Sequence, residues 1–312
     1  TLLAMQVTLS IYDGQLYQKS LEELNFFTER VDGELKKVEE LSFDLAMDYE
    51  IQNQLSVIKS AKNKAEYSFQ MSKMRSRLTT EALSAELEIV PAGKARETGL
   101  DSSMIMAYGQ DDRVCAYTSL VAMLEVKNTK KTTCCLLVDK EEIGSVGATG
   151  MQSKFFENVL AELMNLTGEY SELKLRRCLS NSRMLSSDVS AGYDPLYASA
   201  FEKKNAAFFG KGMVFNKFTG SRGKSGSNDA NAEYLSDLRR ILDDAGVAWQ
   251  TAELGKVDVG GGGTIAYILA LYGMEVIDSG VAVLNMHAPW EITSKADIYE
   301  TEKGYEAFLK NA

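Results

Sequence analysis

From about residue 86 onward, short apolar runs alternate with amphipathic stretches of helical period, and no other feature restricts the fold as much. "AELEIVPAG" (85–93), "TTCCLLVD" (132–139) and "NSRMLSSDVS" (181–190) read as strands, while "DDRVCAYTSLVAMLEV" (111–126) and "SKFFENVLAELMNL" (153–166) read as helices. "NDANAEYLSDLRRILDDAG" (228–246) reads as an amphipathic helix stopped at Gly246. The tail continues the pattern with strand "GVAWQTAEL", a glycine loop entering a helix in "GGGGTIAYILALYG", strand "MEVIDSGVAVLNM" and a closing helix around "SKADIYETEKGYEAFLKN". This order predicts an α/β fold with a mixed, mostly parallel sheet between helices. In such folds ligands collect in the loops beyond the carboxyl ends of the strands. "TGSRGKSGSND" (219–229) reads as the one flexible basic loop, with Arg222 and Lys224 facing another subunit or lining a substrate entry.

Residues 1–85 differ in character. They hold no proline, histidine or cysteine and only two glycines, Gly14 and Gly33, across long helix-compatible stretches. The chain also starts without methionine, so the expectation is that it begins inside a longer protein or lacks pieces of one. The domain boundary is placed between 85 and 86.

Charge and cysteine usage narrow the partners. A net charge of −10 and a pI near 4.9 oppose binding to a phosphate backbone, which calls for basic stripes that release counterions. No run of about 18 apolar residues suggests a membrane span. Cys115, Cys134, Cys135 and Cys178 show no CxxC spacing, so they read as free thiols in a reducing, cytoplasmic setting, with Cys134 and Cys135 as small apolar residues of a buried strand.

Acidic residues punctuate the strand ends. Asp111 and Asp112 open a helix in "YGQDDRVCAY", Glu141 and Glu142 sit in the glycine-flanked "VDKEEIGSVG", Asp188 follows a strand in "MLSSDVS", and His287, the sole histidine, follows another in "LNMHAPWE". Taken singly these are a helix cap, a solvated loop and a core histidine. Taken together they are what a pair of divalent cations needs: carboxylates from different strands, one of them shared, with imidazole completing a shell. Adjacent glutamates suit two jobs, one ligating and one free to take a proton. "GGGGTI" lacks the lysine of a P-loop and the GxGxxG spacing, which argues against nucleotide binding and leaves Gly261, Gly262 and Thr264 as candidates for close approach of a substrate.

The motifs "AYGQDDRVCAYTSL", "VDKEEIGSVGATG", "SSDVSAGYDPLY", "GSRGKSGSNDAN", "DVGGGGTIA" and "NMHAPWE", in this order, resemble the aspartyl aminopeptidase / aminopeptidase I family of dinuclear-zinc exopeptidases over about residues 86–312. The resemblance implies the zinc exopeptidase fold, with an inserted β-rich dimerisation domain in the family, of which residues 1–85 would be a part or an incomplete remnant. It also implies two divalent metals, zinc first with cobalt and manganese as alternatives. Asp111 would bridge the metals, Glu141 would be the general base, Glu142 and His287 would ligate one metal and Asp188 the other. The implied activity is removal of the N-terminal residue of peptides inside a large homo-oligomer, a dodecamer, with no nucleic-acid or membrane partner. The rival readings are another dinuclear hydrolase of the same fold, such as a deacylase, and a catalytically dead assembly or cargo relative. The family's upstream His-x-Asp histidine, and the histidine it takes from a neighbouring subunit, have no counterpart here; missing upstream sequence is the expected reason. Selection of acidic N-terminal residues would need a basic pocket group, for which Lys217 is the candidate; its neighbour Asn216 would face the other side of a strand, so register decides between an acidic and a neutral preference.

Overall fold

The computed structural model describes residues 66, 68–70, 72–73 and 90–312 except 222–224 and 257–261. Two compact units divide at Ile89 and Val90. Of the first, the described residues are helical. Residues 85–89 of the first expected strand, Gly261, and Arg222 and Lys224 lie outside the described residues.

The second unit opens with β1 (Arg96–Thr98) and β2 (Met104–Ala107), followed by α1 (Gln110–Glu125), α2 (Phe155–Leu166) and α3 (Glu172–Ser180). Then come β3 (Arg183–Ser187), β4 (Ser190–Ala191), β5 (Met213–Asn216), β6 (Phe218–Ser221), β7 (Ser225–Asp229), α4 (Ala232–Asp244) and β8 (Trp249–Thr251). The chain closes with α5 (Ala266–Ala270), β9 (Glu275–Gly280), β10 (Ala282–Leu284), β11 (Glu291–Ser294) and α6 (Lys295–Asn311).

One sheet has the order β3-β9-β5-β8 and is mixed and mostly parallel, since β3–β9 and β5–β8 run parallel and only β5–β9 is antiparallel. Side-chain alternation along its strands feeds two cores. Ile277 of β9 and Met213 and Phe215 of β5 pack with Tyr234, Leu238, Ile241 and Leu242 of α4 and Tyr305 of α6. Val276, on the opposite side of β9, packs with Leu175 and Leu179 of α3 and Ala266 and Leu269 of α5. The α4 contacts fall at i, i+4, i+7 and i+8, which is why a polar helix forms one apolar stripe. Each such side chain, once buried, contributes about 1.5–3 kcal/mol. Gly246 follows α4 with φ 63°, a left-handed position that glycine takes without a Cβ clash.

The second sheet, β1-β2-β11-β10-β4, is antiparallel apart from β10–β4. Its β2 and β11 were not among the expected strands. Three local expectations are corrected. "TTCCLLVD" enters no ladder among the described residues, Cys134 is exposed and Leu137 and Val138 are open to solvent. The run is apolar enough for a central strand, but among the described residues its backbone partner is Thr149, whose O accepts from Asp139 N–H at 3.2 Å. Residues 90–93 of "AELEIVPAG" are likewise not a strand. The described residues of 219–229 are strands: β6 and β7 pair antiparallel, with Thr219 and Asn228 buried and Asn228 Nδ2 donating to Val276 O at 3.0 Å. Its small polar residues hid a strand pattern, because the buried face carries Thr219 and Asn228 rather than apolar side chains.

Candidate metal centre

Four turns bring acidic residues to one place. Gly109, with φ 63°, turns the chain from β2 into α1, and Asp111 and Asp112 in the first turn of that helix keep non-helical backbones joined by a cis peptide. Glu141 and Glu142 occupy a single 3-10 turn bounded by Lys140 and Gly144, both at positive φ. Asp188 follows β3 and is pinned by its N–H donating to Ser279 O at 3.1 Å. His287 sits in the turn between β10 and β11 with φ 63°, two residues after Asn285 at φ 64°. A non-glycine residue in the left-handed region carries strain, which is found at functional sites when the surroundings hold it there.

The side chains converge. His287 Nε2 lies 2.9 Å from Asp111 Oδ2 and 3.3 Å from Glu142 Oε2. Ligand atoms of Asp111, Glu142 and His287 all lie within 4.8 Å of one another, and so do those of a second trio, Asp111, Asp112 and Asp188. Asp111 belongs to both trios, the position a shared ligand would take. Glu141 belongs to neither, yet its charge reaches Asp111, Asp112, Asp188 and Asp278, so it faces the same space.

Electrostatics shows what the cluster lacks. Burial, then the charges of Glu142, Glu291 and Glu141, push the Asp111 carboxyl up to about 7 against the opposing pull of His287. Burial and neighbouring carboxylates push Asp112 and Asp188 well above the usual range, and burial and Glu142 raise Glu141. Carboxyls this close cannot all ionise without positive charge among them. Asp112 Oδ1 is also buried with no hydrogen-bond partner. Oxygen-rich trios completed by one imidazole are the donor set of a divalent cation such as zinc, so the residues present fit metal ions.

Among the residues singled out from sequence, the structure brings together Asp111, Glu142, His287 and Asp188, with Glu141 beside them. Lys217 instead pairs with Asp229, and its neighbour Asn216 is buried, its Nδ2 donating to Ala252 O at 2.9 Å and Ser190 Oγ at 3.3 Å. Thr264 is buried, and its Oγ accepts from Ala266 N–H at 3.3 Å at the start of α5. Gly262 O accepts from Gly220 N–H at 3.0 Å. Asp112, marked from the sequence only as an acid beside Asp111, joins the second trio. Two residues escaped the sequence reading: Glu291, inside "NMHAPWE", carries no spacing signal, and Asp278 lies inside an apolar run. Asp278 is buried within β9, where burial raises its carboxyl to about 6.

Comparison with known proteins bears on this geometry. The family model of the aminopeptidase I zinc metalloproteases (M18) matches residues 32–309, starting upstream of the first motif. A curated Clostridium acetobutylicum protein described as a probable M18 family aminopeptidase 1 is 72% identical over 229 residues, covering 73% of this chain and 49% of the relative. The crystal structure of aminopeptidase I from that organism superposes with TM-score 0.71 at 64% identity, covering 81% of this chain and 55% of that one. The M18 aminopeptidase structure from Thermotoga maritima gives TM-score 0.73 at 40% identity over 81% of this chain and 57% of that one. The chain thus spans about half the length of the relatives it matches.

Proposed function

The chain belongs to the aminopeptidase I zinc metalloprotease (M18) family, and on that premise we propose that it carries the catalytic centre of a metalloaminopeptidase that removes the N-terminal residue of peptides. The observation that carries this reading is the pair of trios sharing Asp111, with Glu141 facing them but outside both. Glu142 and His287 would hold one divalent ion with Asp111, and Asp188 the other, zinc being the expected metal. Divalent cations there would acidify a bound water and polarise the scissile carbonyl.

The protein's own residues do the proton work. Glu141, raised by its surroundings, accepts the proton of the attacking water and returns it to the leaving amine. The carboxylate-rich pocket suits a substrate whose free α-amino group needs an anionic partner. Because Lys217 is engaged by Asp229, a neutral or hydrophobic N-terminal residue is the proposed preference. Four free thiols fit a reducing compartment, and the cytoplasm is the proposed location; among the described residues no helix is long and apolar enough to cross a membrane. A panel of aminoacyl and N-acyl substrates tests the reaction class: cleavage of aminoacyl compounds alone is expected, and turnover of N-acyl compounds alone would select the deacylase reading.

A further inference from the structure

We propose that Glu291 is a positioning residue that holds Asp111 and His287 in register with one carboxylate. The proposal rests on the reading of those two residues as metal ligands. Glu291 Oε2 accepts from the backbone N–H of Asp111 at 3.0 Å, and Oε1 accepts from the backbone N–H of His287 at 2.8 Å. The carboxylate therefore spans two loops that come from distant parts of the chain, and a shift of either loop is felt by the other.

Its surroundings make the bridge rigid. Glu291 is only 2% exposed, at the first position of β11. Its carbonyl accepts from Gln110 Nε2 at 2.7 Å, and the same Nε2 reaches Ile105 O at 3.1 Å. The buried Thr293 hydroxyl donates to Gln110 Oε1 from one side-chain alternation further along the strand. Gln110 immediately precedes Asp111, so β11 grips the loop twice, once through the Asp111 N–H and once through its neighbour's amide.

The chemistry calls for a carboxylate here. Two N–H groups point at the side chain, and its two oxygens give each of them an acceptor. Glutamine would satisfy one and set its own NH₂ against the other. A buried carboxylate is costly, and charge-assisted bonds from backbone N–H groups offset that cost. Both loops it holds have backbones that need holding: Asp111 is non-helical within α1, and His287 has φ 63°. Metal ligands must be fixed within about 0.5 Å for tight binding, and residues that orient ligands commonly change metal affinity by about 10–100-fold when lost.

The test uses the full chain, with zinc affinity measured by competition with a chromogenic chelator and the imidazole NMR signal of His287, the only histidine, as a local reporter. Glu291→Gln is expected to keep a cooperative fold without metal, to bind zinc about 10–100-fold more weakly, and to shift the metal-free His287 signal. Equal zinc affinity with an unmoved His287 signal would overturn the proposal. If Glu291→Gln does not fold, Glu291→Asp, which keeps both acceptors on a shorter stem, decides by the same two readouts. Wild-type protein that takes up no zinc would sink the metallopeptidase reading instead, while the metal-free His287 signal would still judge the bridge.

Discussion

Glu141 and Glu142 share one turn and one chemistry, yet only Glu142 places an oxygen in a metal trio. A base that is not a ligand can be neutralised without emptying the site. Glu141→Gln is therefore expected to lower turnover by about 10²- to 10⁴-fold while zinc content, read by metal analysis of the purified protein, stays near wild type. Asp111→Asn should instead reduce zinc content, since it removes the one carboxylate common to both trios. Equal metal loss in the two variants would show the roles to be wrongly divided. The convergence of these residues was legible because acids and a lone histidine from separate motifs, each bland alone, together make a donor set for divalent cations. Glu291 was not, because what it recognises is backbone N–H, and backbone geometry leaves no residue code.

At the scale of elements, the join between β9 and β10 passes close to the Asp188 loop. A Cβ at Gly280 would lie 2.0 Å from Asp188 O and 2.7 Å from Cys115 Sγ. Neither neighbour can give way cheaply, because the first is backbone and the second is fully buried. Gly280→Ala is expected to cost about 1–3 kcal/mol in thermal or denaturant unfolding and to weaken zinc binding through Asp188; a variant of unchanged stability would contradict this. The helices α2 and α4 were legible from a clear 3.6-residue period, and α1, α6, β3 and β9 from long or apolar runs bounded by turn residues rather than from a strong period. The polar pair β6–β7 and the short strands β2 and β11 were not, because their pairing is decided by partners elsewhere in the chain, up to 190 residues away for Met104 and Ser294, rather than by their own composition. "TTCCLLVD" failed in the opposite sense: apolar β-branched character favours a strand but cannot supply the neighbour that a strand needs.

On the scale of the molecule, α2 is apolar on two sides. Phe156, Leu160 and Met164 pack into the core, while Phe155, Val159, Leu163 and Leu166 form an exposed stripe at helical spacing. Stripes of this kind favour burial against another surface, which supports the proposed self-association. Light scattering is expected to return a homo-oligomer far larger than a dimer, a dodecamer being the proposed form, with activity on peptides and none on folded proteins. A monomer of 34.4 kDa with full peptidase activity would contradict it. The bridge at Glu291 also sets an order in time. Asp111 N–H and the carboxylate that holds it are 180 residues apart, so at synthesis rates of about 5–20 residues per second the Asp111 turn waits on the order of 10 to 40 s for its anchor to be made. Throughout that interval the Asp111 turn has no clasp, and the centre closes only when β11 arrives.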